Sequence, residues 1–321
     1  MASQAVVAEQ QPAVKIATHT GDIIARVVTF TFAATILAIT LLLVYQLYKS
    51  SAAARAALGF GFLTSSEWNP VTDQFGAAPF IYGTVVTSLV ALLISVPMGL
   101  GAAIFLSELA PARISNALTF VIELLAAIPS VIYGLLAIFT LVPLMRLYVE
   151  PFLKHTLGFL PLFKGPAYGV GYLTAGLVLS IMTIPFVISV SRESLLAVPR
   201  EQREAALALG ATRWESTWQI VVPYAKLGIL GSVFLGLARA LGETMAVTMV
   251  IGNVPRINYS LLAPGYSIAA VIANEFSEAG GTIHPAALVE LGLVLFCLTI
   301  LINSFARLMI IATTSKGSKR A

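Results

Sequence analysis

Two charged residues within one apolar run carry the most chemistry in this sequence. Arg239 and Glu243 lie in Gly236-Leu237-Ala238-Arg239-Ala240-Leu241-Gly242-Glu243-Thr244, four residues apart in the fifth long hydrophobic stretch. At helical spacing, positions i and i+4 share a face. A central Arg costs about 2.5–3.5 kcal/mol on insertion scales, so Arg239 must face protein or water rather than lipid. Its planar guanidinium offers paired N–H donors that match the oxygens of an oxyanion such as phosphate. Two compatible readings stay open. The pair is a mutual ion pair that locks helix packing, or Glu243 holds Arg239 at rest and yields it to a substrate anion. Glu123 and Glu290 also fall in apolar runs. Membrane carboxylates find partners, so each is expected to pair with an Arg of this chain or of a neighbour. Glu290 lies close enough to the end of its run to touch water.

A second constellation is polar and lies between two apolar runs. Pro199 suits the first turn of a helix, because its missing N–H costs nothing there. Glu201 then meets the positive end of the helix dipole. The helix is expected to run through Glu204-Ala205-Ala206 to Leu209, with Gly210 as its left-handed stop. Thr212-Arg213-Trp214-Glu215 is a capping-box pattern that opens a second helix. Trp214, Trp218 and Val221 or Val222 share one of its faces, and Pro223 is expected to end it. The product is a pair of short helices projecting from a membrane. Ala205 and Ala206 would allow another surface to approach closely, and Arg200, Arg203 and Glu204 would fix its register. A solvated hairpin without a partner is the alternative on residue types alone.

These constellations need a membrane to position them. The chain has 321 residues, 58% hydrophobic and 11% charged, with mean hydropathy +0.91. Soluble domains average about 25% charged, so the class is an all-α integral membrane protein. A span needs about 20 apolar residues, and six runs qualify: about Val27–Tyr48, Phe80–Leu106, Ala117–Met145, Tyr172–Val190, Leu227–Gly252 and Ala286–Ala312. The first run is too long for a signal-peptide core and sits behind 26 residues, so it is read as an uncleaved span. Pro97, Pro129, Pro143 and Pro185 inside the runs are read as kinks, which neighbouring helices can accommodate.

Six spans put both ends on one side. That side carries Lys15, Arg26, Arg113, Arg192, Arg200, Arg203, Arg213, Lys226, Lys316, Lys319 and Arg320. The other carries Lys49, Arg55, Arg146, Lys154, Lys164 and Arg256. The positive-inside rule therefore places both termini and the Glu204 segment in the cytoplasm. No nucleophile–base set or metal-ligand spacing is visible. His19, His155 and His284 fall in separate segments, and the single Cys297 is read as packing. Nowhere is Gly followed by Lys, so the sequence holds no G-x-x-x-x-G-K-[ST] phosphate loop.

The order Glu204-Ala205-Ala206, Gly210, Ile220 and Pro223 resembles the EAA signature of ABC importer permeases, with Val222 where Leu is usual. Arg239-Ala240-Leu241-Gly242-Glu243-Thr244 is similar to the Arg-x-x-Gly-Glu-Thr pattern of phosphate-specific permeases of the PstC type. So are Trp68-Asn69-Pro70 with Phe75-Gly76, Pro79 to Thr84, Glu123 to Gly134, Asn274-Glu275-Phe276 and Glu290-Leu291-Gly292-Leu293. The resemblance covers roughly residues 63–307.

It implies the six-helix fold of type I (MetI-like) ABC importer permeases over residues 27–312. A cytoplasmic tail is expected at 1–26, a coupling loop at about 192–226 and a basic tail at 313–321. It further implies a multi-pass subunit of the bacterial inner membrane that forms half of a phosphate pathway. The chain itself would be no enzyme and would bind no cofactor; ATP and Mg²⁺ would belong to a separate ATPase. The implied partners are a PstA-type permease, a PstB-type ATPase dimer and a PstS-type phosphate-binding protein, with no nucleic acid. Arg239 and Glu243 would line the pathway, while Glu204, Ala205, Ala206 and Gly210 would meet the ATPase. A permease for molybdate or sulfate is the nearest rival, and an ion-coupled secondary transporter a more distant one.

Overall fold

The computed structural model describes residues 20–317, with side chains for residues 21–308. Most of the N-terminal tail and the end of the basic tail lie outside the described residues. The chain divides into two units after Gln46. The first contributes most of α1, Thr20–Ser50, whose 31 residues are ample to cross a bilayer.

The second unit holds everything else. After α2 (Ala52–Leu58) comes a small antiparallel hairpin, β1 (Trp68–Asn69) on β2 (Gln74–Phe75), with Trp68 opposite Phe75. Then follow α3 (Ala78–Leu109), α4 (Ala112–Ala126), α5 (Ser130–Leu157) and α6 (Tyr172–Leu196). Two further helices make the polar turn between spans, α7 (Arg200–Ala208) and the long α8 (Arg213–Gly242). The chain closes with α9 (Met245–Val250), α10 (Ile268–Glu275) and α11 (Ile283–Gly317). Six of these helices, α1, α3, α5, α6, α8 and α11, are long and apolar enough to span.

The core is the α3–α6–α8 group. Lipid tails are as apolar as leucine, so membrane helices associate by close packing and interhelical hydrogen bonds. Both devices are present. Gly176 and Gly99 let α3 and α6 touch, since a Cβ would sit 2.4 Å from Val90 Cγ1 at the first and 2.7 Å from Val187 Cγ1 at the second. Ser191 and Ser232 join α6 to α8 through a buried 2.7 Å hydroxyl–hydroxyl bond.

Proline placement explains the irregular turns. Four π-helical segments, Phe105–Leu109, Ala137–Leu141, Met145–Val149 and Thr217–Val221, each end two residues before a proline: Pro111, Pro143, Pro151 and Pro223. In every case the residue before the proline donates its N–H five residues back, as Ala110 does to Phe105 O at 2.8 Å. Proline lacks an N–H and its ring crowds the carbonyl four residues earlier. The wider turn absorbs that conflict.

Three sequence expectations change here. Pro223 does not end the second polar helix; the π turn carries that helix through it into the fifth span, α8. The third span is Ser130–Leu157 rather than Ala117–Met145, because the chain breaks at Ile128-Pro129 and Ala112–Ala126 folds as a separate helix against α6. Glu123 therefore lies in α4, outside a span, and among the described residues it has no ion-pair partner. The fifth span ends at Gly242 instead of running on to Gly252. Glu290 does find an arginine of this chain, Arg55, at 3.4 Å.

On the face away from α7, the hairpin is tied down by Trp68, whose indole N–H donates to Glu275 at 2.8 Å. His284 reaches the same carboxylate oxygen at 3.2 Å and stacks on Phe75. In the adjoining loop Tyr266 accepts a bond from Asn274 at 2.9 Å, and burial pushes its phenol up to about 12.

Candidate functional site

Arg239 lies in the last turn of α8, at the point where the fifth hydrophobic run is interrupted. The helix stops at Gly242, and Glu243 takes an extended conformation (φ −72°, ψ 128°). Glu243 therefore leaves the helical face that its spacing from Arg239 suggested. Its Oε1 accepts a long 3.4 Å bond from the Ala246 N–H, at the start of α9. The expected resting ion pair is absent: among the described residues no carboxylate lies within ion-pairing distance of Arg239.

An aromatic face takes the place of the carboxylate. The guanidinium carbon lies 4.1 Å from the centroid of Phe186, on α6 one residue after Pro185. A cation over a ring is attracted by the quadrupole, yet the ring accepts none of its N–H bonds in the manner of an oxyanion. Arg239 Nε is buried and has no hydrogen-bond partner among the described residues. Tyr133, at the start of α5, lies within electrostatic range of this guanidinium and donates its own hydroxyl to Leu125 O at 2.8 Å. Gly134 beside it lets α9 cross closely, for a Cβ there would meet Met249 Sδ at 2.4 Å. The arrangement can present a fixed positive charge, with donors to spare, to an anion.

The polar constellation forms the turn expected of it. Pro199 is the residue before α7. Gly210 has φ +89°, its N–H donates to Leu207 O at 3.0 Å, and the Ala211 N–H donates to Ala206 O at 3.1 Å. That bonding closes the helix end in a Schellman motif. Thr212 then forms the full capping box. Its N–H donates to Glu215 Oε2 at 2.8 Å, and its Oγ1 accepts from the Glu215 N–H at 3.3 Å. Trp214 and Trp218 meet edge to face at 5.6 Å on the expected shared face, both half-exposed.

Glu204, Ala205 and Gly210 are exposed. Ala206 is not: at 4% exposure it faces the chain itself, where α7 packs on the π turn of α8. Leu209, by contrast, is 90% exposed at the tip of the turn, a large apolar side chain without cover from this chain.

Sequence reasoning assigned Arg203 to the register of an outside contact, whereas in the structure it turns onto its own chain and fixes this hairpin. Arg203 donates to both oxygens of Glu108, Nε to Oε2 at 3.1 Å and Nη2 to Oε1 at 2.9 Å. Nη1 also donates to Val198 O at 2.5 Å and Nη2 to Leu195 O at 2.7 Å. One side chain thus joins α7 to the end of α3 and to the open carbonyls at the end of α6. No local pattern announces a pair 95 residues apart.

Residues 95–310 match the family described as "Binding-protein-dependent transport system inner membrane component". The chain is 48% identical over 286 residues to the "Phosphate transport system permease protein PstC" of Mesorhizobium japonicum, covering 87% of this chain and 88% of that one. It is 52% identical over 262 residues to the protein of the same description in Xylella fastidiosa, covering 80% and 81%. The fold is shared with a chain of a bacterial alginate ABC transporter solved with its periplasmic protein (TM-score 0.57, 17% identity, 90% of this chain and 96% of that one). It is shared too with a chain of the inward-facing MetNI methionine ABC transporter (TM-score 0.54, 17% identity, 73% and 94%).

Proposed function

Because the chain belongs to the binding-protein-dependent inner-membrane transport components, and among them to the phosphate-system permeases, we propose that Arg239 is the phosphate contact of its half of the pathway. The protein is a phosphate ABC importer permease subunit with six spans in the inner membrane. One observation carries the substrate reading: among the described residues, a guanidinium inside a span has a ring for a neighbour, no carboxylate within ion-pairing distance and a buried donor unused. Partial dehydration of phosphate as it enters the pathway costs free energy, and fixed N–H donors offset it. Glu243, at the break between α8 and α9, is the second pathway residue. Its place outside the helix lets it approach or leave the anion without moving α8.

The hairpin of α7 and the start of α8 is the coupling element, within a loop of about residues 192–226. Glu204, Ala205 and Gly210 present the surface that a separate ATPase grips, with Leu209 as its apolar tip. Ala206 contributes by its small size, which seats α7 against the following helix. The chain carries no ATPase site of its own; ATP and Mg²⁺ act in a PstB-type dimer. A PstA-type permease completes the pathway, and a PstS-type protein delivers phosphate from the side opposite the hairpin. Both termini face the cytoplasm. ATP-driven closure of the dimer draws the hairpins together. The Arg203 contacts pass that motion to α3 and α6, and so to Phe186 and Arg239.

Phosphate uptake by vesicles containing the assembled transporter tests the substrate reading. Arg239→Gln is expected to abolish uptake while all subunits still copurify; wild-type uptake by that variant removes Arg239 from the pathway. Glu204→Lys is expected to detach or uncouple the ATPase. Unchanged copurification together with unchanged ATP turnover would rule out the proposed grip.

A further inference from the structure

We propose that a groove beside α11 is a phospholipid site that selects a zwitterionic head group bearing a primary ammonium. The inference rests on α11 being a span and on nothing about phosphate transport. The groove lies wholly within the second unit, between the segment that follows α2 and the first half of α11. It encloses 460 Å³. Its walls are Phe60, Leu63, Val294, Cys297, Leu298 and Leu301, and its two charged residues are Arg55 and Glu290.

Dimensions favour one acyl chain. From Glu290 to Leu301 is eleven residues, about 16 Å of helix. Half of a hydrocarbon core is about 15 Å thick, so the groove is one leaflet deep.

Charge favours the head group. Arg55 is anchored without Glu290, since it donates to Ser51 Oγ at 2.5 Å and to Tyr48 O at 2.6 Å and lies 3.7 Å over the Tyr48 ring. Its contact with Glu290 is long, 3.4 Å, and the two side chains keep 27% and 13% exposure at the mouth of the groove. A phosphodiester placed on Arg55 and an ammonium placed on Glu290 satisfy both charges with one molecule. A purely anionic lipid would set its charge against Glu290, and a trimethylammonium offers that carboxylate no N–H. Arginine near a span end habitually reaches toward head groups in this way.

The test uses the complete transporter with its partner subunits, purified in detergent and read by native mass spectrometry. Phosphatidylethanolamine and phosphatidylcholine of matched chains are added in competition. The expected result is retention of phosphatidylethanolamine on this subunit with about a tenfold preference, the size of one charge-assisted hydrogen bond. Glu290→Gln is expected to erase the preference, and Leu298→Trp, which fills the groove, to remove the bound lipid. Equal retention of the two lipids by the unaltered complex overturns the proposal, whatever the variants do. So does undiminished lipid in a folded Leu298→Trp complex. A photoreactive probe on Cys297, the chain's single cysteine, gives the remaining arm. Crosslinks to lipid support the site, and crosslinks mainly to a protein helix overturn it.

Discussion

Arg203 and Arg239 carry the same side chain to opposite ends. Arg203 makes four hydrogen bonds, two to the Glu108 carboxylate and two to carbonyls at the end of α6, and joins three elements. Arg239 lies in a span, over a ring, with a buried donor unused. The first has four of its five N–H donors engaged and ties its surroundings together. The second is held in place by contacts that leave its hydrogen-bonding capacity open. A charged group inside a membrane is costly, so an unsaturated one marks a place where something else completes the bonding. In a phosphate permease the partner we propose is the transported anion.

The largest expected effect falls on Arg239. Arg239→Gln removes the charge and is expected to leave uptake at background, with the complex intact by size-exclusion chromatography. Arg239→Lys keeps the charge but loses the fork of donors, and uptake is expected to be partial. If lysine restored the full wild-type rate, point charge alone would suffice, and paired donors would not distinguish this arginine.

Arg203 should fail differently. Arg203→Gln and Glu108→Gln are each expected to loosen the hairpin and to let ATP turnover run without uptake. Their double-mutant cycle is expected to show a coupling of about 1.5–3 kcal/mol in thermal unfolding, the usual worth of bonds to charged groups. A coupling near zero would mean that the carbonyls of Leu195 and Val198 hold Arg203 unaided.

Phe186 sharpens the contrast from the other side. A cation over a ring is worth about 1 kcal/mol, or roughly fivefold in a rate or affinity. Phe186→Leu keeps the apolar bulk and is expected to lower phosphate uptake by about that factor, while Phe186→Trp keeps it near wild type. Uptake that ignores both changes would show that the ring is only packing, and that other groups orient Arg239.

The sequence carried these two regions to different degrees. The hairpin was legible because its signals are local. Gly210 as a left-handed stop and Thr212 with Glu215 as a capping box depend on neighbours within a few residues, and the structure has both. The Arg203–Glu108 pair was invisible, since it needs the fold of three helices before the residues meet. Four spans were bounded to within about six residues by hydropathy alone. The third was displaced because hydropathy cannot tell a packed amphipathic helix from a span, so the break at Ile128-Pro129 reads as a kink. The fifth hid its interruption for a related reason. Leu241 to Gly252 stays apolar on average, and only the backbone shows that Glu243 has left the helix. Prolines mislead in both directions: the sequence reads Pro223 as a stop, whereas a π turn before it lets α8 continue, and it reads Pro129 as a kink, whereas the helix ends there.

The smallest effect tests whether the hairpin's rigidity comes from Arg203 alone. The Thr212 hydroxyl accepts the Glu215 N–H at 3.3 Å and donates to Glu215 Oε2 at 2.8 Å. Replacing a Thr cap by Ala typically costs about 1 kcal/mol, and Thr212→Ser should cost much less because the oxygen remains. Since Arg203 still fixes α7, Thr212→Ala is expected to fray only the start of α8, with faster amide exchange there and a modest fall in coupled ATP turnover. In an Arg203→Gln background the same change should cost more than it does alone, because each anchor then stands without the other. Strict additivity would mean that the two ends of the hairpin behave independently, and the hairpin would have to be treated as two separate contacts rather than one rigid lever.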